Sequence, residues 1–234
     1  MVPPLEQLLT WQDEGTEVVE KAVATLTDAE LAQPSALPDW RRAHVVAHLA
    51  RNADALVNLL TWARTGVETP MYPSLDSRAQ DIDMTALLSP TELRTDLLAA
   101  NARLATATSE LPQAGWRARV RSAQGRDIPA SEVPWLRARE LWVHLVDLGG
   151  RWTFDDVPAD LVLALLGDVT SALDRKPTMP ALTLVAADAG EWTIGPAAPA
   201  VTVSGPPAAL LGWVTGRTDG AGLTGDLPAL PRWL

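Results

Sequence analysis

Apolar side chains in the first 150 residues recur every three or four positions, which is the spacing of amphipathic helices. The pattern predicts four long helices, at residues 5–26, 41–64, 89–110 and 131–148. The third begins at Ser89, and a proline at the first helical position and Glu92 at the third complete a strong start signal. Gly149 and Gly150 end the fourth. Since only the connection at 65–89 is long, a four-helix bundle with one crossover is predicted.

Beyond Arg151 the pattern changes to short segments separated by glycine and proline. These segments predict helices at 158–173 and 206–215, strands at 182–187, 192–194 and 201–203, and a tail rich in glycine and proline. The expected fold class is therefore α+β, mainly α. We expect an N-terminal bundle over residues 1–152 and a smaller C-terminal α/β domain over residues 153–234.

Charge and composition restrict the chemistry. The net charge of -10 and the isoelectric point near 4.7 argue against nucleic acid and anionic membranes as partners, because both would be repelled. The chain has no cysteine, which excludes disulfides, thiolate metal sites and cysteine nucleophiles. A metal would therefore be held by histidine and carboxylate, and a reactive thiol would come from outside the protein.

Targeting signals are missing from the sequence pattern. Residues 1–11 have neither the basic nor the apolar region of a signal peptide. No apolar run approaches the roughly 18 residues that a membrane span needs. We expect a cytoplasmic, monomeric protein without a membrane partner.

The three histidines all fall on predicted helices. Glu140 and His144 are four residues apart on the fourth helix and therefore share a face, and His48 lies on the second. If these two helices face each other, two imidazoles and one carboxylate meet, which is a recurring set in catalytic zinc sites with an open fourth position. The alternative is a helix cap or a salt bridge. The apolar residues around Glu140 favour the metal, since an unpaired buried carboxylate costs several kcal/mol.

His44 precedes His48 by four residues and shares its helix face. It could replace His48 as a ligand, lie behind the ligands or lie on the surface, and the spacing does not decide among these three positions.

Two of the segments just discussed resemble a known family. Residues 39–53 (DWRRAHVVAHLARNA) and 137–149 (RARELWVHLVDLG) are similar to those of the mycothiol-dependent maleylpyruvate isomerases, which have a DinB-like metal-binding bundle. Further segments fit the same family: 65–72, 123–126, 216–220 and 231–234. The resemblance covers the chain from about residue 11 to its end.

The resemblance implies a set of functional residues. It implies that His48, Glu140 and His144 bind zinc, with water completing the coordination, and that Arg217 from the C-terminal unit reaches the active site. Mycothiol would be the second cofactor. Tyr72, Asn52 and Arg126 are further candidates for cofactor binding, although each taken singly fits a structural role better than a functional one.

Three functions follow as hypotheses. The first is a cis–trans isomerase in which mycothiol adds to and leaves the double bond of maleylpyruvate, giving fumarylpyruvate. The second is a metal-dependent mycothiol S-transferase acting on another electrophile. The third is a small-molecule binding or regulatory module without catalysis.

Overall fold

Helices dominate the first of two compact units, which comprise residues 1–150 and 151–234. The computed structural model describes residues 3–187, 189–199 and 201–233. Within residues 3–150 it contains these α-helices: α1 (Leu5–Thr25), α2 (Asp28–Leu31), α3 (Arg42–Thr65), α4 (Leu75–Thr85), α5 (Pro90–Ser109) and α6 (Val133–Asp147).

The predicted four-helix bundle is formed by α1, α3, α5 and α6. Helix α3 packs against both α5 and α6, and α1 packs against α6 and α5, so that each helix has two neighbours. Their inward faces are aliphatic, with Val45, Leu56 and Leu141 fully buried. Burial of such side chains stabilises the bundle by about 25 cal/mol per Å² of apolar surface.

The start of α5 shows why the sequence signal was reliable. The Ser89 side chain accepts a hydrogen bond from the Glu92 backbone N–H, and the Glu92 carboxylate accepts one from the Ser89 N–H at 3.0 Å. These two bonds satisfy amide groups that the helix itself leaves unpaired. The predicted helix start is confirmed.

The connection at 65–89 differs from the sequence analysis, because it contains α4. This helix packs on α3 but has little apolar surface to bury: Ile82 is buried, whereas Leu75 and Met84 are 71% and 67% exposed. A helix without an apolar stripe leaves no periodic signal, so the sequence analysis described only a long connection and did not predict α4.

Between α5 and α6 the chain forms a short antiparallel hairpin. Strand β1 (Arg119–Arg121) pairs with β2 (Asp127–Pro129), with Val120 opposite Ile128 and both buried. The sequence predicted only an extended or irregular segment here, because three residues are too few to show strand alternation.

In the described part of residues 151–233, two helices accompany a small mixed sheet. The elements are α7 (Ala159–Asp174), β3 (Leu182–Ala186), β4 (Gly190–Ile194), β5 (Val201–Gly205) and α8 (Pro207–Val214). Strand β3 is central, antiparallel to β4 and parallel to β5. The α+β, mainly α, fold class is confirmed.

Among the described helices, none combines the length and the apolar character needed to cross a membrane.

Candidate metal centre

Two helices of the bundle bring together the three side chains expected to bind metal. His48 lies on α3, and Glu140 and His144 lie one turn apart on α6. The Oε2 atom of Glu140 is 2.8 Å from Nε2 of His48 and 3.2 Å from Nε2 of His144. Within the described residues, the ligand atoms of this group all lie within 4.8 Å of one another.

The cluster is buried on one side and open on the other. His48 is 3% exposed, while the side chains of Glu140 and His144 keep 16% and 14% of their surface. The two imidazole rings meet edge to face, with their centroids 4.6 Å apart. Glu140 and His144 are therefore partly accessible to a small ligand, whereas His48 is enclosed in the bundle.

Asp147 orients His144 from behind. This aspartate is fully buried, and its Oδ2 atom accepts a hydrogen bond from Nδ1 of His144 at 2.8 Å. The bond fixes the proton on Nδ1 and turns Nε2 towards Glu140. Carboxylates that hold the second ring nitrogen in this way are common behind metal-binding histidines.

The pKa values of the three side chains are shifted in different directions, so that their charges at neutral pH differ. Burial lowers the pKa of His48 to about 4, despite its hydrogen bond to Glu140. Burial also disfavours a charge on His144, but the hydrogen bonds to Asp147 and Glu140 outweigh it and raise that pKa to about 9. Burial opposes ionisation of Glu140, but the bonds from the two histidines hold its pKa well below the ordinary value. At neutral pH the cluster thus contains neutral His48, anionic Glu140 and cationic His144.

This charge distribution fits a site for a cation. The proton on His144 lies beside the Glu140 carboxylate, where a divalent metal would supply positive charge in its place. Two imidazoles and a carboxylate suit zinc and leave room for a further ligand. The three residues are therefore compatible with a metal, and their role as ligands is taken up as a proposal below.

Two of the candidates for cofactor binding lie beside the cluster. Tyr72 is partly buried, and the Cζ atom of Arg78 lies 5.7 Å from the centre of its ring. Arg78 in turn donates a hydrogen bond to Nδ1 of His48 at 3.2 Å. The sequence analysis missed Arg78, because it lies on the unpredicted helix α4.

Asn52 is held in place by an arginine that is fully buried. The Nη1 atom of Arg137 donates to Oδ1 of Asn52 at 2.8 Å and to the Leu49 carbonyl at 2.8 Å, and its Nη2 atom donates to Oδ1 of Asn101 at 2.6 Å. Burial lowers the pKa of Arg137 to about 10, so its side chain remains charged at pH 7. Arginine side chains usually lie on the surface. The sequence analysis therefore did not predict this buried network.

The remaining two candidates are Arg126 and Arg217. Arg126 is at the β1–β2 hairpin and forms an ion pair with Glu132 at 3.0 Å, with 60% of its side chain exposed. Arg217 belongs to the second unit, directly after α8, where its Nη1 atom donates to the Thr215 carbonyl at 2.7 Å. The roles of these two residues stay predictions.

His44 is outside the cluster. Its Nδ1 atom accepts a hydrogen bond from the Arg41 backbone N–H at 3.2 Å, and its ring stacks on Trp40 with centroids 6.2 Å apart. It therefore caps the start of α3, while His48, one turn further along, faces Glu140.

Comparisons with known proteins give the family. The model described as "Mycothiol maleylpyruvate isomerase N-terminal domain" matches residues 12–149, and the one described as "MDMPI C-terminal domain" matches residues 156–232. A crystal structure of the mycothiol-dependent maleylpyruvate isomerase is 36% identical, covers 99% of this chain and 98% of its own, and superposes with a TM-score of 0.94. A histidine-to-alanine mutant of that isomerase gives the same values.

A more distant structure shares the fold alone. YfiT from Bacillus subtilis, a protein with an unusual four-helix bundle topology, is 17% identical. The match covers 63% of this chain and 86% of YfiT, with a TM-score of 0.52. The comparison with curated proteins found no match. Two family models that together span most of the sequence, and a solved relative aligned over nearly its full length, show that this chain belongs to the mycothiol-dependent maleylpyruvate isomerase family.

Proposed function

We propose that this protein is a cis–trans isomerase that converts maleylpyruvate to fumarylpyruvate with mycothiol as the required thiol. The observation that carries the proposal is the His48–Glu140–His144 cluster within a chain that is 36% identical to a mycothiol-dependent maleylpyruvate isomerase over 99% of its length. Family membership supports the reaction, and the cluster supports the proposed metal site.

We further propose that His48, Glu140 and His144 hold one zinc ion. The Nε2 atoms of both histidines face the same Glu140 oxygen, and Asp147 fixes His144 in the orientation that a ligand needs. A bound zinc would lower the pKa of an incoming thiol from its ordinary value near 8.5, so that thiolate forms at neutral pH. The partly exposed side of the cluster is the side from which that thiol can enter.

The reaction requires that a double bond be interrupted and restored. Addition of the thiol to one alkene carbon makes the bond single, and after rotation the loss of the same thiol leaves the trans isomer. During addition, the electron pair of the double bond moves into the conjugated carbonyl and creates an enolate oxygen. Hydrogen-bond donors of the protein that face this oxygen lower the barrier, because its charge exists only after addition.

Individual roles follow for the remaining residues. Arg217 is proposed as the catalytic arginine, which pairs with a substrate carboxylate or stabilises the enolate. Tyr72, Asn52 and Arg126 are proposed to contact the thiol cofactor. Residues 1–152 would form the metal-binding domain and 153–234 the C-terminal domain, in a cytoplasmic monomer whose mass light scattering can measure.

The test is to incubate the zinc-loaded protein with maleylpyruvate and mycothiol and to follow both compounds. The proposal expects many turnovers to fumarylpyruvate with the amount of free thiol unchanged, and no reaction when either thiol or zinc is omitted. Loss of one thiol per substrate consumed would assign the S-transferase reaction instead. No turnover with any of these components would favour a binding module.

A further inference from the structure

Arg78 lies at the edge of the metal cluster and, among the residues that the structure describes, forms no ion pair with a carboxylate. It lies on α4, and its side chain is partly buried. Its Nη2 atom is 3.2 Å from Nδ1 of His48, and its Cζ atom is 5.7 Å from the centre of the Tyr72 ring. Several other described arginines of the bundle pair with a carboxylate, as Arg51 does with Asp96 at 2.6 Å, whereas Arg78 faces an imidazole and a phenol.

The bond between Arg78 and His48 depends on which ring nitrogen carries the hydrogen. A guanidinium only donates hydrogen bonds, so Nδ1 of His48 accepts here and the ring hydrogen lies on Nε2, towards Glu140. If Nε2 binds a metal, the hydrogen must lie on Nδ1 instead. Arg78 and His48 then face each other as two donors, and an oxygen acceptor beside them satisfies both.

Two donors beside a cation site favour an anion with oxygen acceptors. A divalent metal together with the Glu140 and Asp147 carboxylates would have a net charge of about 0, and Arg78 raises it to about +1. One carboxylate of a substrate balances this charge. Helix α4 can accommodate such a ligand, since of its side chains only Ile82 is buried in the core.

We propose that Arg78, together with the Nδ1–H group of His48, forms a carboxylate-binding subsite beside the metal cluster. One carboxylate of the dianionic substrate binds here, which places the double bond next to the position of the thiol. The inference rests on the proposed isomerase function for its substrate, and it identifies a binding residue that the sequence analysis did not find.

Maleate, a cis dicarboxylate, serves as the probe, because its binding can be measured by calorimetry without thiol and without turnover. The variants are Arg78→Met, Arg78→Lys and, as a control with the same loss of charge, Arg64→Met at the exposed end of α3. Loss of the charged hydrogen bonds in Arg78→Met should weaken maleate binding about 30-fold. Arg78→Lys should recover part of the affinity, since it keeps the charge but not the planar fork.

Zinc content separates this role from a structural one. All variants should keep the wild-type amount of zinc, and with maleylpyruvate the KM of Arg78→Met should rise more than its kcat falls. Maleate affinity in Arg78→Met equal to that of the wild type, or no maleate binding by the wild-type protein, would overturn the subsite. Normal maleate binding with no isomerisation by the wild-type protein would instead refute the proposed function and leave the subsite in place.

Discussion

Zinc affinity should rise about tenfold for each pH unit between pH 6 and pH 8, because one proton must leave His144 before this residue binds a metal. The pKa of His144 is about 9 in the metal-free cluster, where Asp147 and Glu140 overcome the effect of burial. His48, with a pKa of about 4, and Glu140, with a pKa well below its ordinary value, are already deprotonated in this range. Because pH 7 is about two units below the pKa of His144, the zinc affinity at pH 7 should be about 100-fold below its high-pH limit.

A competition assay with a chromophoric zinc chelator, corrected for the chelator's own protonation, measures this slope. Calorimetry in buffers of different ionisation enthalpy counts the released protons, and about one is expected at pH 7. The control is His44→Ala, which should leave the slope unchanged, since His44 caps α3 and does not face Glu140. A flat profile would show that His144 is neutral before binding, and two released protons would show that His48 is charged as well.

The Asp147→Asn variant tests whether the bond to Asp147 raises the pKa of His144. Without the buried carboxylate that accepts from Nδ1, the pKa of His144 should fall, and fewer protons should be released at pH 7. Zinc affinity should also fall about 10- to 100-fold, because the ring loses its fixed orientation. An unchanged proton count in Asp147→Asn would contradict the assignment of the shift to this pair.

Three further outcomes follow from the structure. Arg137→Met should destabilise the protein by about 2–4 kcal/mol in urea denaturation, because it leaves buried acceptors, including Asn52 Oδ1, without donors; an unchanged midpoint would contradict this. Gly15→Ala should cost about 1–3 kcal/mol despite better helix propensity, since the added Cβ would lie 2.6 Å from Nε1 of Trp142; a higher melting temperature would show that the ring yields. In the metal-free protein, the stabilising contribution of His144 should be complete below pH 6.5 and lost as pH rises through about 9, measured as the urea midpoint; a constant midpoint would argue against the raised pKa.

The sequence was informative where a periodic pattern coincides with burial. Helices α3 and α6 were predicted because their apolar positions repeat at helical spacing, and the i,i+4 rule then placed Glu140 and His144 on one face. That His48 meets them depends on the packing of α3 against α6, which spacing alone leaves open. The position of His44 was undecided for the same reason, since residues one turn apart share a face but differ in what they touch.

What the sequence did not predict depends on polar residues in unusual surroundings. Helix α4 has no apolar stripe, so neither the helix nor the position of Arg78 could be inferred from periodicity. Arg137 is fully buried because Asn52, Asn101 and a main-chain carbonyl accept its hydrogen bonds. These partners lie on α3 and α5, whereas Arg137 lies on α6. Because the contacts form only when the helices pack together, they cannot be read from the spacing of residues in the sequence.

Metal content measured by elemental analysis of purified wild-type, His44→Ala and His48→Ala proteins tests the central claim most directly. The two histidines lie one turn apart on α3, but only His48 faces Glu140. The account predicts about one zinc per chain in the wild type and in His44→Ala, and less than about a tenth of that in His48→Ala. Full zinc in His48→Ala, or its loss in His44→Ala, would contradict the assignment of the metal to His48, Glu140 and His144.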